Sequence, residues 1–208
     1  KKHIITISGK PGSGKSSTAD KVAELLSYTR YSAGDIVRKM LRHHNMSLEE
    51  FNKKAEDDHE LDHLIDEELR SLRDEKDVVI DSRLGFYWIP ESFKVYLDLD
   101  DDVAVARIYK DVVTNSAREG EASGASSLQE VDRMVRARMS NERQRFVSMY
   151  GMDPYRRSNF DLIVNTSRHS PQTVALTVFD YYQKWLKSDE WEPVVSEVPL
   201  GFSLKNDF

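Results

Sequence analysis

The segment GKPGSGKS at residues 9–16 constrains the fold more than any other part of the chain. It follows the short apolar run at 3–8 and precedes a stretch with helical spacing at 15–27. Glycines let the backbone curl so that successive N–H groups point inward, and the helix that follows adds the positive end of its dipole. The segment therefore predicts an anion cradle between a strand and a helix. The alternative is a glycine-rich turn with an incidental lysine.

The spacing G-x-x-x-x-G-K-[ST] is met by Gly9, Gly14, Lys15 and Ser16. In such a loop the lysine supplies positive charge to the β- and γ-phosphates of a nucleoside triphosphate, and the hydroxyl takes one place in the coordination shell of Mg²⁺. We expect the whole loop to contact the triphosphate, through Gly9, Lys10, Pro11, Gly12, Ser13, Gly14, Lys15, Ser16 and Ser17. The loop alone leaves both hydrolysis and phosphoryl transfer open.

Apolar β-branched runs alternate with helical spacing along the chain, which predicts an α/β fold with a parallel sheet covered by helices on both faces. The predicted strands are 3–8, 77–81, 93–99 and 160–166, and the predicted helices are 15–27, 34–44, 47–75, 101–117, 127–149 and 171–187. Two helical regions, 33–75 and 107–150, interrupt the alternation and could cover a site as mobile flaps. The Gly-, Ser- and Ala-rich segment 118–127 is expected to be an exposed loop.

Composition narrows the classes of partner. The chain of 208 residues has no cysteine, which excludes disulfides and thiolate metal sites. Its formal net charge of -6 argues against a general affinity for nucleic acid. No apolar run has the length of a membrane span, so we expect a soluble, cytoplasmic protein with no nucleic-acid or membrane partner. A monomer is expected, and an oligomer is left open.

The segment VVIDSRLG at 78–85 ends a predicted buried strand in Asp81 and then presents Arg83. Ligands of open α/β sheets bind at the carboxyl edge of the strands, so both side chains could face the glycine loop. Asp81 suits Mg²⁺, directly or through water, and Arg83 suits a second phosphate group. The simpler alternatives are a turn cap for Asp81 and a surface ion pair for Arg83.

Two further charged groups lie on predicted helices. Asp35 and Arg38 are three residues apart in YSAGDIVRKM, where they could grip a nucleotide or only pair with each other. The segment VRARMSNERQRF at 135–146 concentrates four arginines, which could close on a transferring phosphoryl group. These arginines could instead pair with acidic residues of the same helix, namely Glu130, Asp132 and Glu142.

Three other motifs carry less weight. The guanine-reading pattern Asn-Lys-x-Asp is incomplete in NKKA at 52–55, which disfavours a GTP switch. HELDH at 59–63 fits the zinc-protease pattern H-E-x-x-H, but no clear third ligand follows it. The acidic run DLDDD at 98–102 ends a strand and begins a helix, so we interpret it as a helix cap and not as a metal site.

Together these motifs resemble those of the type 2, archaeal-like cytidylate kinases, a branch of the nucleoside monophosphate kinases. The resemblance extends from about His3 to Leu186 and is carried, in order, by ITISGKPGSGKSS, YSAGDIVRKM, MSLEEFNKKAEDDHELDHLID, VVIDSRLG, SNERQRF, YGMD and FDLIVNTSRHSP. It implies a P-loop kinase that transfers the γ-phosphate of ATP to CMP or dCMP with Mg²⁺. It also implies one kinase domain at 1–187, followed by a tail at 188–208.

Within that domain the resemblance implies three parts: a core of 1–32, 76–106 and 150–187, a monophosphate-binding insertion at 33–75, and a lid at 107–149. It assigns acceptor binding to Asp35, Arg38 and Arg83, and it places Arg107 and Thr166 beside the adenine of ATP. Ser16 and Asp81 remain the candidate Mg²⁺ ligands. The set expected to hold the phosphates during catalysis is Lys15, Arg83, Arg138 and Arg143.

The chain departs from the family pattern at Asp81-Ser82-Arg83, where Glu-Gly-Arg is more usual, and its lid loop and tail are longer. These departures leave the reaction class unchanged but put the acceptor in doubt. One alternative is a P-loop kinase that acts on another nucleotide or on a small non-nucleotide molecule. The other is an ATP-dependent binding or regulatory module that holds nucleotide without transferring phosphate.

Overall fold

The computed structural model describes residues 1–43, 45–46, 50, 60–114, 125 and 127–196. Its centre is a six-stranded sheet with the order β2-β3-β1-β4-β5-β6, and every neighbouring pair is parallel. The strands are β1 (Ile4–Gly9), β2 (Thr29–Ser32), β3 (Val78–Asp81), β4 (Phe93–Asp98), β5 (Leu162–Asn165) and β6 (Val194–Ser196). The predicted α/β fold with a parallel sheet is confirmed.

Seven described helices accompany the strands. They are α1 (Lys15–Leu26), α2 (Ala33–His43), α3 (Glu60–Ser71), α4 (Gly85–Trp88), α5 (Asp101–Thr114), α6 (Leu128–Tyr150) and α7 (Pro171–Lys187). Single 3-10 turns lie at Leu72–Asp74 and Arg157–Asn159. The ends of α6 and α7 carry clear sequence signals, because Ser127 and Ser170 accept hydrogen bonds from the first turns and Gly151 ends α6 with φ of 66°.

Helices cover both faces of the sheet, because the inner strands are apolar on both sides. Ile5 and Ile7 of β1 are fully buried beneath α1 and α7. Ile4 of the same strand is fully buried in a second cluster that includes Ile65 and Leu69 of α3. This two-sided burial explains why the inner strands are short continuous apolar runs.

Two strands are not predicted by the sequence. The segment of β2, TRYS, mixes polar and apolar residues because it lies at one edge of the sheet and is partly exposed. The other is β6, which has only three residues and pairs with β5, so the core sheet continues past residue 187, where the sequence places the end of the domain. Trp191 packs against Phe93 with their ring centroids 6.0 Å apart, and this segment therefore docks on the core as extended chain.

Several sequence expectations fall wholly or partly outside the described residues. They concern NKKA at 52–55, His59 of HELDH, most of the loop 118–127, and 197–208 of the tail. Within the predicted helix 47–75, the described part is helical over Glu60–Ser71 and ends in the 3-10 turn. No helix in the described part of the chain is both long and apolar enough to cross a membrane.

The strand order places a crevice at the carboxyl end of β1. The chain leaves β1 toward β2 and β3 on one side, and β4 lies on the other side. In open α/β sheets such a change of direction is where ligands bind. The glycine loop follows β1 and Asp81 ends β3, so the topology brings the two candidate segments to the same edge.

Candidate functional site

The glycine loop has the backbone geometry that an anion cradle requires. Gly9 has φ of 153°, and a Cβ at this position would lie 2.3 Å from the carbonyl oxygen of Leu97. Gly14 has φ of 78° and precedes α1, whose first turn receives no side-chain cap. The N–H groups at this helix end are therefore available to an anion. Lys15 begins the helix, with its Nζ donating to the carbonyl oxygen of Lys10 at 3.4 Å.

Lys10 ties the loop to the acidic end of β4. Its Nζ lies 3.2 Å from Oδ1 of Asp98 and 3.1 Å from Oδ1 of Asp101. Burial acts to raise the pKa of Asp98, but the hydrogen bonds from Arg157 and Lys10 outweigh it and leave that pKa lowered. Asp101 and Asp102 lie in the first turn of α5, as the cap interpretation predicts. That interpretation is wrong for Asp98, which forms a buried ion pair with the loop instead.

Arg107 and Thr166 meet at the other side of the loop. Arg107 Nη2 donates to the carbonyl oxygen of Thr166 at 2.7 Å, and Nη1 donates to that of Gly12 at 3.4 Å. The Thr166 hydroxyl donates to the carbonyl oxygen of Ser13 at 3.2 Å. Burial lowers the pKa of Arg107, although a guanidinium stays protonated at neutral pH. The two residues that the resemblance places beside adenine thus lie against the glycine loop.

The structure brings together the two candidate Mg²⁺ ligands. Ser16 Oγ donates to Asp81 Oδ2 at 2.7 Å, and Arg30 Nη2 lies 3.3 Å from the same oxygen. A hydroxyl and a carboxylate are hard oxygen ligands, and Mg²⁺ is usually held by one or two protein groups and several waters. The pair therefore fits a magnesium ion between the loop and β3. No group of three or more His, Cys, Asp or Glu side chains among the described residues is arranged to hold a metal.

Arg83 is joined to the lid region through Glu142. Arg83 Nε donates to Glu142 Oε2 at 2.8 Å, and its Nη1 donates to the carbonyl oxygen of Gly9 at 2.8 Å. Arg138 Nε donates to Glu142 Oε1 at 2.9 Å, and the hydroxyl of Tyr155 donates to Oε2. Burial acts to raise the pKa of Glu142, but the charges of Arg83 and Arg138 hold it well below its usual value. One ionised carboxylate therefore fixes two guanidinium groups beside the loop.

Asp35 and Arg38 form the salt bridge that their spacing predicts, and the hydrogen bond from Arg38 lowers the pKa of Asp35. Arg30 adds a connection, because its Nη1 lies 3.3 Å from Asp35 Oδ2. Arg30 thus bridges the acceptor candidate Asp35 and the metal candidate Asp81. The network spans the cleft from α2 to β3.

Arg143 is the one catalytic candidate that stands apart in this conformation. Its Nε lies 3.1 Å from Asp153 Oδ2, its guanidinium is 5.6 Å from the ring centre of Tyr155, and half of its side chain is exposed. It is not among the residues that line the main cleft, whereas Arg145 is. The alternative interpretation, in which arginines of α6 pair with acidic residues of the same helix, applies to Arg136. It pairs with Asp132 on the exposed face of α6.

Most of the candidate groups line one cleft of about 2290 Å³, between the glycine loop, α2, α3 and α6, but Gly9, Lys10, Pro11 and Arg143 do not. Three of its residues, Arg30, Glu142 and Asp66, are functional candidates that sequence reasoning does not identify. Arg30 lies on the edge strand that the sequence does not predict. In the sequence, Glu142 looks like an ordinary acidic partner on a charged helix. Only the folded structure places its carboxylate against Arg83. Asp66 carries a weak signal, because it interrupts the apolar stripe that contains Ile65 and Leu69.

A loop that presents backbone amides, opposite arginines held by a shared carboxylate, suits the movement of a phosphoryl group from a triphosphate to a second substrate. The chain is an ATP-dependent phosphotransferase built on a P-loop kinase fold. It belongs to the cytidylate kinase-like family, which matches residues 4–168.

Relatives extend over most of the chain. The cytidylate kinase of Halobacterium salinarum is 36% identical over 180 residues, which are 85% of this chain and 88% of the relative. The cytidylate kinase of Pyrococcus horikoshii is 35% identical over 83% of this chain and 84% of its own length. An S-adenosylmethionine-dependent nucleotide dehydratase of Lacinutrix mariniflava is 31% identical over 86% of this chain, but only 36% of that longer protein is matched.

Solved structures support the fold alone. The shikimate kinase of Bacteroides thetaiotaomicron superimposes with a TM-score of 0.61, covering 89% of this chain and 98% of that chain at 14% identity. The shikimate kinase of Aquifex aeolicus gives a TM-score of 0.55 at 15% identity. Because kinases with different acceptors share this scaffold, the fold does not identify the acceptor.

Proposed function

We propose that this chain is a nucleoside monophosphate kinase that transfers the γ-phosphoryl group of ATP to CMP or dCMP, giving CDP or dCDP. Family membership supports the reaction class, and the names of the archaeal relatives support a cytidine acceptor. The observation that carries the proposal is the guanidinium pair of Arg83 and Arg138, held by Glu142 next to the glycine loop. A simple nucleotide-binding loop does not need this second cationic group.

The two substrates would be held from opposite sides. The loop amides and Lys15 hold the triphosphate of ATP, while Arg107 and Thr166 flank its adenine. Asp35 and Arg38 contact the acceptor nucleotide, and Arg83 binds its phosphate. Arg83 also donates to the carbonyl oxygen of Gly9, so the acceptor phosphate would lie close to the donor loop.

The transfer itself needs no protein nucleophile. An oxygen of the acceptor phosphate attacks the γ-phosphorus, the bond to the β–γ bridging oxygen breaks, and ADP leaves with that electron pair. Negative charge spreads over the moving group, so fixed cations stabilise the transition state. Lys15, Arg83 and Arg138 supply this charge, and Arg143 would join them when the lid region closes. Mg²⁺ held by Ser16 and Asp81 would neutralise the β- and γ-phosphates.

Closure of the insertion and the lid region would also exclude water, so that ATP is not hydrolysed in place of transfer. On this side of the cleft, the side chains of Asp35 and Arg38 are exposed in this conformation.

The proposal is tested by ADP release with CMP, dCMP, UMP, AMP, shikimate or no acceptor. We expect turnover to depend on a nucleoside monophosphate, with CMP and dCMP preferred. Preference for shikimate would instead indicate a small-molecule kinase. Equal ATP turnover with and without every acceptor would rule the proposal out.

Two variants separate transfer from simple binding. Lys15→Ala should weaken both ATP binding and transfer, whereas Arg83→Ala should retain ATP binding but lower acceptor phosphorylation by about 10²-fold or more. Nucleotide binding is measured by calorimetry and transfer by product formation. A binding module would tolerate Arg83→Ala in every assay.

A further inference from the structure

Asp98 is a buried carboxylate at the end of β4 that the proposed transfer does not use. Its side chain is 8% exposed, and it is not among the residues that line the main cleft. Lys10 Nζ lies 3.2 Å from its Oδ1, and Arg157 Nη2 pairs with its Oδ2. The backbone N–H of Leu99 also donates to Oδ1 at 2.9 Å. One carboxylate therefore joins β4, the glycine loop and the 3-10 turn that precedes β5.

Lys10 is the residue that attaches the glycine loop to β4. Its Nζ contacts the carboxylates of Asp98 and Asp101, and it donates to the carbonyl oxygen of Leu99 at 3.1 Å. An ammonium group has three N–H donors, so these three acceptors can engage all of them. The backbone N–H of Lys10 donates to the carbonyl oxygen of Leu97 at 3.2 Å. Both the side chain and the backbone of Lys10 are therefore fixed to the end of β4.

The carbonyl oxygen of Lys10 connects this attachment to the rest of the loop. It accepts from the backbone N–H of Ser13 at 3.2 Å and from Lys15 Nζ at 3.4 Å. Gly9, the preceding residue, lies so close to β4 that a Cβ would be 2.3 Å from the carbonyl oxygen of Leu97. A shift of Lys10 would thus move amide groups of the loop, and displacements of about 1 Å are enough to weaken catalysis.

We propose that Asp98 is a positioning residue for the ATP half of the site, which acts through Lys10 to hold the backbone of the glycine loop in its binding geometry. This inference rests on the part of the proposed function in which the loop binds ATP, and it does not depend on the acceptor. Asp98 itself touches no substrate. A loop that is already ordered binds its ligand more tightly, because the ligand does not have to supply the cost of ordering it.

The test measures the Kd for ATP of Asp98→Asn by calorimetry, together with the KM values for ATP and CMP from ADP formation. The substitution removes the charge that holds Lys10, and a buried ion pair that loses one partner leaves the other charge uncompensated. We expect the Kd and the KM for ATP to rise about tenfold. The KM for CMP should stay within about threefold, because the change acts on the donor half alone.

Variants of Lys10 test whether the effect passes through this ion pair. Lys10→Met removes the ammonium group and should raise the Kd for ATP by a similar factor. Its side chain is 24% exposed, so this variant also serves if Asp98→Asn does not fold. When both variants fold, the double variant should bind ATP no more weakly than either single variant, because the two substitutions break the same contact.

Asp161→Asn is the matched control, since Asp161 is another largely buried carboxylate beside a lysine. Its Oδ2 lies 3.5 Å from Lys94 Nζ and accepts from the backbone N–H of Lys94 at 2.8 Å. Asp161 lies just before β5, at the opposite end of the strands from the glycine loop. The control should keep the wild-type Kd for ATP even where urea unfolding shows a loss of stability.

The outcomes separate the inference from the proposed function. A Kd for ATP within about threefold of the wild-type value in Lys10→Met, or in a folded Asp98→Asn, would overturn the inference. So would additive effects in the double variant, or an equal rise of the Kd in Asp161→Asn. Failure of the wild-type protein to bind ATP would overturn the proposed function itself.

Discussion

On the proposed donor side of the cleft, the groups that would face the triphosphate are largely backbone atoms of residues 9–17, and nearby side chains donate to their carbonyl oxygens. On the acceptor side, the groups are side chains from elements far apart in sequence, such as Arg83 and Glu142, which are 59 residues apart. The loop is therefore built by one continuous segment between β1 and α1, and contacts from Leu97, Arg107 and Thr166 hold it in place. The acceptor side depends on an electrostatic network that is complete only when several elements pack together.

This difference predicts that the two sides of the cleft respond differently when side chains are substituted. A backbone cradle tolerates changes in most of its side chains, because the amide groups remain whatever side chain they carry. A network of buried charges does not, since removal of one partner leaves another charge without compensation. The four predictions that follow test this contrast with three variants, from the largest expected effect to the smallest.

Lys15→Ala should have the largest effect, because Lys15 is the residue that we propose holds the β- and γ-phosphates of ATP. We expect kcat to fall by about 10³-fold with the fold intact. The measurement is steady-state ADP formation, with circular dichroism to check folding. Lys184→Ala removes an exposed lysine paired with Asp180 on α7 and should leave kcat unchanged. A loss of less than about tenfold in Lys15→Ala would contradict a direct role in transfer.

Glu142→Gln should have the next largest effect, because it removes the charge that holds Arg83 and Arg138. We expect kcat/KM for the acceptor to fall by about 10- to 10²-fold, with the KM for ATP nearly unchanged. Tyr155→Phe removes one donor to the same carboxylate but keeps its charge, and its effect should be smaller. Equal losses for the two variants would show that the charge of Glu142 does not matter.

Glu142→Gln should also change how the free energy of unfolding depends on pH. The pKa of Glu142 is lowered in the folded protein, so its contribution to the free energy of unfolding is present above its ordinary value of 4.5 and is lost as the pH falls. The wild-type protein should therefore be more stable than Glu142→Gln at pH 7, and this difference should shrink below pH 4.5. Urea unfolding at several pH values measures it, and a difference independent of pH would contradict the ionised buried state.

Arg136→Ala should have the smallest effect. Arg136 lies two positions from Arg138 on α6, but its ion pair with Asp132 is exposed. Exposed ion pairs contribute little, so activity should stay within about twofold and thermal stability should not change measurably. Arg138→Ala is the matched comparison and should lower acceptor phosphorylation clearly. A similar loss in both variants would mean that α6 acts through its overall charge and not through the contact with Glu142.

The same contrast explains which parts could be predicted from the sequence. The glycine loop, the strands β1, β3, β4 and β5, and the proximity of Ser16 and Asp81 all follow from local patterns and from the rule that ligands bind at the carboxyl edge of the sheet. The salt bridge of Asp35 and Arg38 follows from their spacing on one helix. These features depend on residues close in sequence or on topology alone.

The remaining features depend on packing between distant segments. Glu142 and Asp132 look alike in sequence, yet the side chain of Glu142 is only 13% exposed and pairs with Arg83, whereas that of Asp132 is 41% exposed. Asp98 resembles a helix cap, but it pairs with Lys10 because the glycine loop folds back onto the end of β4. Arg30 could not be predicted as a site residue, because it lies on the edge strand β2, which has no apolar run. No local pattern distinguishes these side chains from ordinary surface charges.

Strand β6 has a consequence for where the chain could be shortened. Its three residues cover the outer edge of β5, and Trp191 reaches the aromatic cluster around Phe93. A protein truncated after Lys187 would present the backbone N–H and C=O groups of β5 to solvent as an open template for other chains. We therefore expect a protein truncated after Lys187 to aggregate more readily than the full chain, because the three residues of β6 leave a shorter open edge than the four residues of β5 would.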